Sequence, residues 1–425
     1  MRQNRRPRPK TCRNENVVRV LLSTRGSRGD VEPMAALAVQ LLGLGAEVRV
    51  CAPPDEEFAA VLARAGVPLV PVGPTARSMV KGPKRFRSAD MAQRVADMVA
   101  ETYDTVTEAA SEGCDVVVAT GMFPAVAGAR AAAEKLGTRY VYTCFQPTML
   151  PSPHHPPFEY PSHPHPAGVT DNRVLWDLDI QHMNALFGGP VNAHRASAGL
   201  PPVDNFRDHL LTDHPWLATD PLLSPWVLPA DLDVVQTGAW ILPDERPLPA
   251  DLEAFLDAGP PPVYVGFGSM PMAAAEDVAR VAVEAVRAHG HRVLLARGWA
   301  DLSLVDDAAD CFAVGEVNQQ ALFRRVAAVV HHGGAGTMTT AARAGAPQVV
   351  VPQMVDQPYY AGRVAALGIG VAHDGPVPTV ASLSAALGTA LEAGTRARAA
   401  EVAGEVRSDG AMAAAKLLFE GVSSE

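Results

Sequence analysis

Short apolar runs alternate with longer amphipathic stretches along most of the chain. Val18-Arg19-Val20-Leu21-Leu22-Ser23-Thr24 reads as a first strand, β-branched and apolar. Arg25 to Asp30 is a turn with two glycines, and Val31 to Leu44 is an amphipathic helix ended by Gly45. Glu47 to Ala52 is a second strand, and Pro53-Pro54 with Asp55 opens a helix to Ala65. Pro68 to Pro71 continues the alternation. Asp115 to Thr120 repeats it, followed by helix Ala125 to Leu136 and strand Arg139 to Thr143. This rhythm predicts a parallel, doubly wound sheet.

From Gln146 to Thr170 the pattern breaks, because closely spaced prolines remove donors and fix φ. His154, His155, His163 and His165 lie there, but their loose spacing, with no framing cysteine or carboxylate pair, does not describe a metal site. The stretch reads as a mobile recognition loop. Asp171 to His194 returns to helix, Thr212 to Pro229 holds turns and short strands, and Val234 to Gly238 follows. The polar, proline-bearing Asp244 to Pro249 suits a linker. Pro262 starts a second series: strand Val263 to Phe267, helix Ala274 to His289, and strands Arg292 to Ala296 and Cys311 to Val314. A last helical segment runs from Thr395 to Phe419, broken at Gly410.

The second series centres on His331-His332-Gly333-Gly334-Ala335-Gly336-Thr337, between the apolar run Val326 to Val330 and a helix closed by Gly345. Glycines between strand and helix leave backbone N–H groups unblocked at a helix N-terminus, a seat for phosphate. His332 can add a charge-assisted contact and the Thr337 hydroxyl can donate. The turn lacks the lysine of G-x-x-x-x-G-K-[ST], and its glycines do not follow G-x-G-x-x-G. By itself such a turn is often only tight packing. After the next strand, Gln348 to Val351, comes Asp356-Gln357, an acid and an amide able to bond sugar hydroxyls. Phosphate seat and hydroxyl reader together suggest a nucleotide-sugar site.

With 425 residues the chain is too long for one ordinary core and suggests two domains. Hydrophobic content of 48% and charged content of 19% describe a globular protein, and the net charge of −10 gives a nucleic-acid partner no support. Cysteines 12, 51, 114, 144 and 311 show no paired spacing, so reduced thiols in a cytoplasm are the simplest account. No apolar run reaches a membrane span. Residues 1–17 carry six basic residues and no apolar segment after them, which excludes a signal peptide. The tail is expected to be disordered and a mis-set start. The remaining 30 basic and 45 acidic residues give −15.

His332 to Thr337 followed by Asp356-Gln357 resembles the donor signature of family 1 glycosyltransferases of the GT-B fold. The resemblance continues in Gly26-Ser27-Arg28-Gly29-Asp30, Gly238-Ala239-Trp240-Ile241-Leu242-Pro243 and Val263 to Ser269. Together these are similar to the actinomycete enzymes that glycosylate vancomycin- and teicoplanin-type heptapeptide antibiotics. The similarity runs from about Val18 to the C-terminus.

The resemblance implies an α/β chain of two doubly wound Rossmann-like domains facing across a cleft. The expected divisions are a tail at 1–17, an acceptor domain at 18–228, a linker at 229–250, a donor domain at 251–405, and a helix at 406–425 packing back on the first domain. Asp30 would be the catalytic base; as a purely structural residue it would be the N-cap before Val31. Arg28 would touch the diphosphate or the acceptor, or be a solvated turn arginine. Ser269 would meet the second phosphate, Trp299 would stack on the base unless it is core, and Gln319 would lie near the ribose. His332, Gly333, Gly334, Gly336 and Thr337 would hold the diphosphate, and His331 would be a packed strand end. Asp356 and Gln357 would read sugar hydroxyls, Asp356 also serving as N-cap before Pro358. The loop residues His154, His155, Phe158 and Tyr160 would face the acceptor. Asp177-Leu178-Asp179 and Asp231-Leu232-Asp233 read as surface charges.

A UDP- or TDP-sugar and a heptapeptide aglycone are the implied substrates, with no cofactor, metal, nucleic acid or membrane. A monomer or weak dimer is expected. Glucose or N-acetylglucosamine is favoured over a deoxyaminosugar. The rival readings are a transferase acting on another natural-product aglycone, a nucleotide-sugar 2-epimerase, and a non-catalytic auxiliary partner.

Overall fold

Thirteen short strands, every pair parallel, build two sheets in the computed structural model, which describes residues 17–81, 88–160, 163–270, 275–304, 306 and 308–423. The expectation for the tail falls almost wholly on residues 1–16, outside the described residues, as does Cys12. The first sheet holds β1 (Arg19–Arg25), β2 (Glu47–Ala52), β3 (Leu69–Pro71), β4 (Val116–Gly121), β5 (Arg139–Cys144), β6 (Trp216–Leu217) and β7 (Val235–Gln236), in the order β3-β2-β1-β4-β5-β6-β7. The second holds β8 (Val263–Gly266), β9 (Val293–Ala296), β10 (Cys311–Val314), β11 (Ala328–His331), β12 (Gln348–Val350) and β13 (Gly370–Ala372), in the order β10-β9-β8-β11-β12-β13.

The runs are largely apolar on both sides because helices cover both faces of each sheet. Val20, Leu22, Val48, Val50, Val116 and Val118 turn to one face of the first sheet, and Leu21, Val117 and Ala119 to the other. Strand order reverses between β1 and β4 and again between β8 and β11. At such switch points the outgoing loops diverge and leave a crevice at the carboxyl ends of the strands. Gly26 to Asp30 leaves β1 and the glycine turn leaves β11, so both motifs stand at switch points.

Three features differ from the reading of the sequence. Strand β7 pairs with β6, so the first sheet extends beyond the boundary expected at 228. Between Pro71 and Asp115, where no element is expected, lie helices Ala76–Lys81 and Ser88–Ala110. The second mixes polar and apolar residues along its length, and Val95, Val99 and Val106 form one buried stripe. The segment after Asp171 is two helices, Asn172–Met183 and Gly189–Ser197, joined by a π turn.

Helix Gly410–Ser423 returns to the first domain, where Ala411, Ala414, Ala415 and Leu418 join the core formed by Met34, Leu37 and Leu41. Where the returning chain crosses, a side chain on Gly410 would come within 2.4 Å of the Gly238 backbone. Among the described residues no helix is long and apolar enough to cross a membrane.

Candidate active site

Asp30 sits one turn inside a helix that begins three residues earlier than the hydrophobic pattern indicates. Helix Arg28–Gly43 takes Ser27, not Asp30, as its N-cap. The Ser27 hydroxyl accepts from the Gly29 amide at 3.3 Å, and Asp30 Oδ2 accepts from the Ser27 amide at 2.8 Å. This reciprocal cap fixes the carboxylate against the turn. Gly26 has no side chain because one there would lie 2.0 Å from Asp30 Oδ2. Burial disfavours the charged carboxylate more than the Ser27 amide favours it, and the pKa is pushed up to about 6. A carboxylate in that range is mostly ionised at neutral pH and still basic enough to take a proton.

The glycine turn owes its shape to His331. That side chain is wholly buried, with Nε2 2.8 Å from Gln348 Oε1, while Nδ1 accepts from the Gly333 amide at 3.1 Å. Those partners assign the proton to Nε2. Gly333 has φ +96°, and a side chain there would strike Val350 at 2.9 Å. Gly334 then caps helix Ala335–Ala344, whose first amides lack intrahelical acceptors and stand at the switch point of the second sheet.

The His332 ring lies between two glycines: a methyl group on Gly334 would come 2.6 Å from Nε2, and one on Gly268 3.1 Å from Cε1. Burial lowers its pKa to about 4, so at neutral pH the ligand-free imidazole is uncharged. Charge assistance in its expected contact with a diphosphate then comes from the phosphate oxygens, not from the imidazole. Among the described residues its Nδ1 is buried without a partner. Among the described residues nothing lies within 4 Å of a side chain added at Gly336, in the first turn of helix Ala335–Ala344. Thr337 is half-buried in the same first turn.

Asp356 and Gln357 divide their expected role. The Gln357 side-chain oxygen accepts from the amides of Gln353 (2.7 Å) and Met354 (3.1 Å), and its nitrogen lies 3.6 Å from Met270 Sδ. It is buried, and its oxygen folds the loop instead of facing a ligand. Asp356 stands at the N-cap position of helix Gln357–Ala366 but makes no capping bond. The preceding Val355 has φ +54°, a conformation that costs a β-branched residue energy and clusters at functional sites. Burial, with a further contribution from the Asp30 charge, raises Asp356 to about 7. The two carboxylates, from opposite domains, are therefore close enough to feel one another.

Ser269 lies half-buried in the turn after β8, beside Gly268 (φ +57°). The Gly268 carbonyl accepts from the Trp299 amide at 2.9 Å, which ties this turn to the one after β9. Trp299 packs against the core of the first domain, its Nε1 donating to Glu57 at 2.8 Å, and Arg77 lies over the ring. The Gln319 amide donates to the Tyr264 hydroxyl at 3.1 Å. Arg28 does not reach the glycine turn, because its guanidinium binds Glu32 at 2.8 Å and Glu316 at 3.2 Å.

The loop residues are held by their own domain. His154 Nε2 lies 2.8 Å from the Pro229 carbonyl, and the His155 carbonyl accepts from Trp176 Nε1 at 2.9 Å. Phe158, Tyr160, His182 and His163 form a continuous run of ring contacts. The loop is thus folded onto helix Asn172–Met183 rather than free over the cleft. Asp179 is not a surface charge: it is buried 3.5 Å from the buried Arg207. Tyr360 was not anticipated; its hydroxyl, on the donor-domain helix, donates to the Phe145 carbonyl of the first domain at 2.6 Å.

Comparisons with known proteins agree with this architecture. Two family profiles match: Erythromycin biosynthesis protein CIII-like, C-terminal domain, over residues 283–415, and Glycosyl transferase 4-like domain, over residues 33–168. The chain is 57% identical over 408 residues to a vancomycin aglycone glucosyltransferase of Amycolatopsis orientalis, covering 96% of this chain and 98% of the relative. It is 53% identical over 412 residues to a dTDP-epi-vancosaminyltransferase of the same organism, with coverage of 96% and 98%. Among solved structures, the glycotransferase of kitacinnamycin superposes with a TM-score of 0.69 at 20% identity, covering 95% of this chain and 98% of that one. The glycosyltransferase VinC, solved in complex with dTDP, gives 0.63 at 23% identity, covering 96% and 100%. At those identities the structures establish the shared GT-B fold.

Proposed function

The chain belongs to the vancomycin-group glycosyltransferases, and within that family we propose that it is an inverting, metal-independent transferase acting on a glycopeptide aglycone. Asp30 takes the proton of an acceptor hydroxyl, and the resulting oxygen attacks the anomeric carbon from the face opposite the diphosphate. The leaving diphosphate, of UDP or dTDP, departs toward the amides at the start of helix Ala335–Ala344, with His332, as a neutral imidazole, donating one hydrogen bond to its anionic oxygens. Asp356 reads a sugar hydroxyl. Glucose or N-acetylglucosamine is the favoured sugar, since the intact Gly333-Gly334 and Asp356-Gln357 resemble members that move those sugars.

The observation that carries this reading is Asp30 itself. It is capped in place at the switch point of the first sheet, raised to about 6, and within electrostatic reach of Asp356 on the other domain. An epimerase would need no such base on the acceptor side. An auxiliary protein would have no reason to retain His332, Thr337 and Asp356 together.

The test is product mass spectrometry with vancomycin and teicoplanin aglycones against a panel of UDP- and dTDP-sugars. Glycosylated aglycone from the wild type, absent in Asp30→Asn with nucleotide binding retained, supports both transfer and base. Transfer that survives the substitution leaves Asp30 as a cap alone. No product from any pair counts against the glycopeptide acceptor.

A further inference from the structure

One helix of the first domain touches both turns that lie on the β9–β10 side of the donor crevice. Glu57, in helix Glu56–Arg64, accepts from Trp299 Nε1 at 2.8 Å, and Trp299 belongs to the turn after β9. Arg64, the last residue of the same helix, lies 3.7 Å from Glu316 in the turn after β10. Arg28 and Arg246 share that carboxylate at 3.2 and 3.1 Å. The guanidinium carbon of Arg77 stands 5.6 Å from the Trp299 ring centroid. Buried Asp55 sets the position of Arg77, accepting from the amides of Ala76 at 2.7 Å and Arg77 at 3.1 Å.

A diphosphate at the β8/β11 switch point leaves its nucleoside two directions, over the carboxyl ends of β9 and β10 or over those of β12 and β13, and the expected base and ribose residues Trp299 and Gln319 both lie on the first side. Trp299 and Glu316 border that place, and both are held from above by the other domain. We infer that helix Glu56–Arg64 roofs the nucleoside subsite, and that Glu57 is a positioning residue for Trp299. Donor affinity then depends on a domain that carries none of the donor motif. A half-buried indole N–H given to a carboxylate is a charge-assisted bond, strong enough to fix the ring's orientation. This inference rests on the donor-site reading given above.

Calorimetry of UDP and dTDP binding to the full chain tests it, using Glu57→Ala, Glu57→Gln, Trp299→Phe and the double variant Glu57→Ala/Trp299→Phe. Glu57→Ala is expected to weaken nucleotide binding about tenfold. Glu57→Gln, whose amide oxygen still accepts, stays within about threefold of wild type. The double variant binds no more weakly than Trp299→Phe alone, because the two residues act through one contact. The acceptor KM does not move. Unchanged affinity in a folded Glu57→Ala, an equal loss in Glu57→Gln, or additive losses in the double variant would overturn the roof while leaving the donor site standing. Binding of neither nucleotide by the wild type overturns the donor reading and the roof with it.

Discussion

The amide of Ser27 donates to a carboxylate oxygen of Asp30 at 2.8 Å, so the candidate base is also one half of a helix cap. The two roles separate by substitution. Asn at position 30 still offers an oxygen to the Ser27 amide but cannot take a proton. Asp30→Asn is expected to lower kcat by about 10²–10⁴-fold without lowering Tm. Asp30→Ala loses the same activity and is about 1 kcal/mol less stable than Asp30→Asn, as the cap goes. Thermal melts beside initial rates check this, and equal Tm values for the two variants would contradict the capping role.

Rates should carry the signature of Asp30. With its pKa raised to about 6, kcat/KM for the acceptor is expected to rise through that pH as the carboxylate ionises, then level off. An ordinary exposed aspartate would place the limb near its usual value of 3.8. A pH–rate profile flat from pH 5 to 8 would remove Asp30 from the proton transfer.

Stability responds in the opposite sense. Asp30 and Asp356 both titrate above the ordinary 3.8, so between that pH and about 7 the folded chain binds more protons than the unfolded chain. Their contribution therefore falls as pH rises through that window, by on the order of 1–2 kcal/mol once partial solvent exposure is allowed for. His331 and His332, lowered to about 3 and about 4 by burial, oppose this by binding fewer protons when folded, so the comparison must be made against a variant. Asp356→Asn is expected to be more stable than wild type at pH 8 and equal to it at pH 4. Melting curves at the two pH values decide it; an equal difference at both would show that Asp356 is not raised.

The glycines of the turn make contrasting predictions. A methyl group at Gly334 would lie 2.6 Å from His332 Nε2, so Gly334→Ala is expected to displace the imidazole and cost about 1–3 kcal/mol. Among the described residues Gly336 has nothing within 4 Å of the added atom, so Gly336→Ala should leave Tm unchanged or slightly raised. If the diphosphate lies against Gly336, its affinity nevertheless falls. UDP or dTDP titrations of Gly336→Ala report that contact directly, and undiminished binding would move the phosphate elsewhere.

Tyr360 joins the domains through one bond of 2.6 Å to the Phe145 carbonyl. Tyr360→Phe keeps the ring in its buried place but leaves that carbonyl without this donor. A loss of about 1–3 kcal/mol is expected in urea unfolding. A midpoint unchanged from wild type would show that water replaces the hydroxyl at no cost.

Much of the fold was legible because its signals are local. β-branched apolar runs between amphipathic stretches specify parallel strands and crossover helices, and a glycine pair after a buried run specifies a turn able to seat phosphate. Strand β2 and strand β10 were bounded as observed, whereas helix Ser88–Ala110 was missed because its single buried stripe is diluted by polar residues. The residue types around Asp30 and His332 were visible; their states were not. That His332 is uncharged, that Gln357 folds its own loop, and that Asp179 is buried with Arg207 depend on what packs around them. Trp299 meets Glu57 across 242 residues of chain, and Arg28 meets Glu316 across 288. Local periodicity determines which elements form and which face each one buries. Only the docking of two separately wound sheets decides which side chains of one domain finish the site of the other, because no local pattern encodes a contact between residues so far apart.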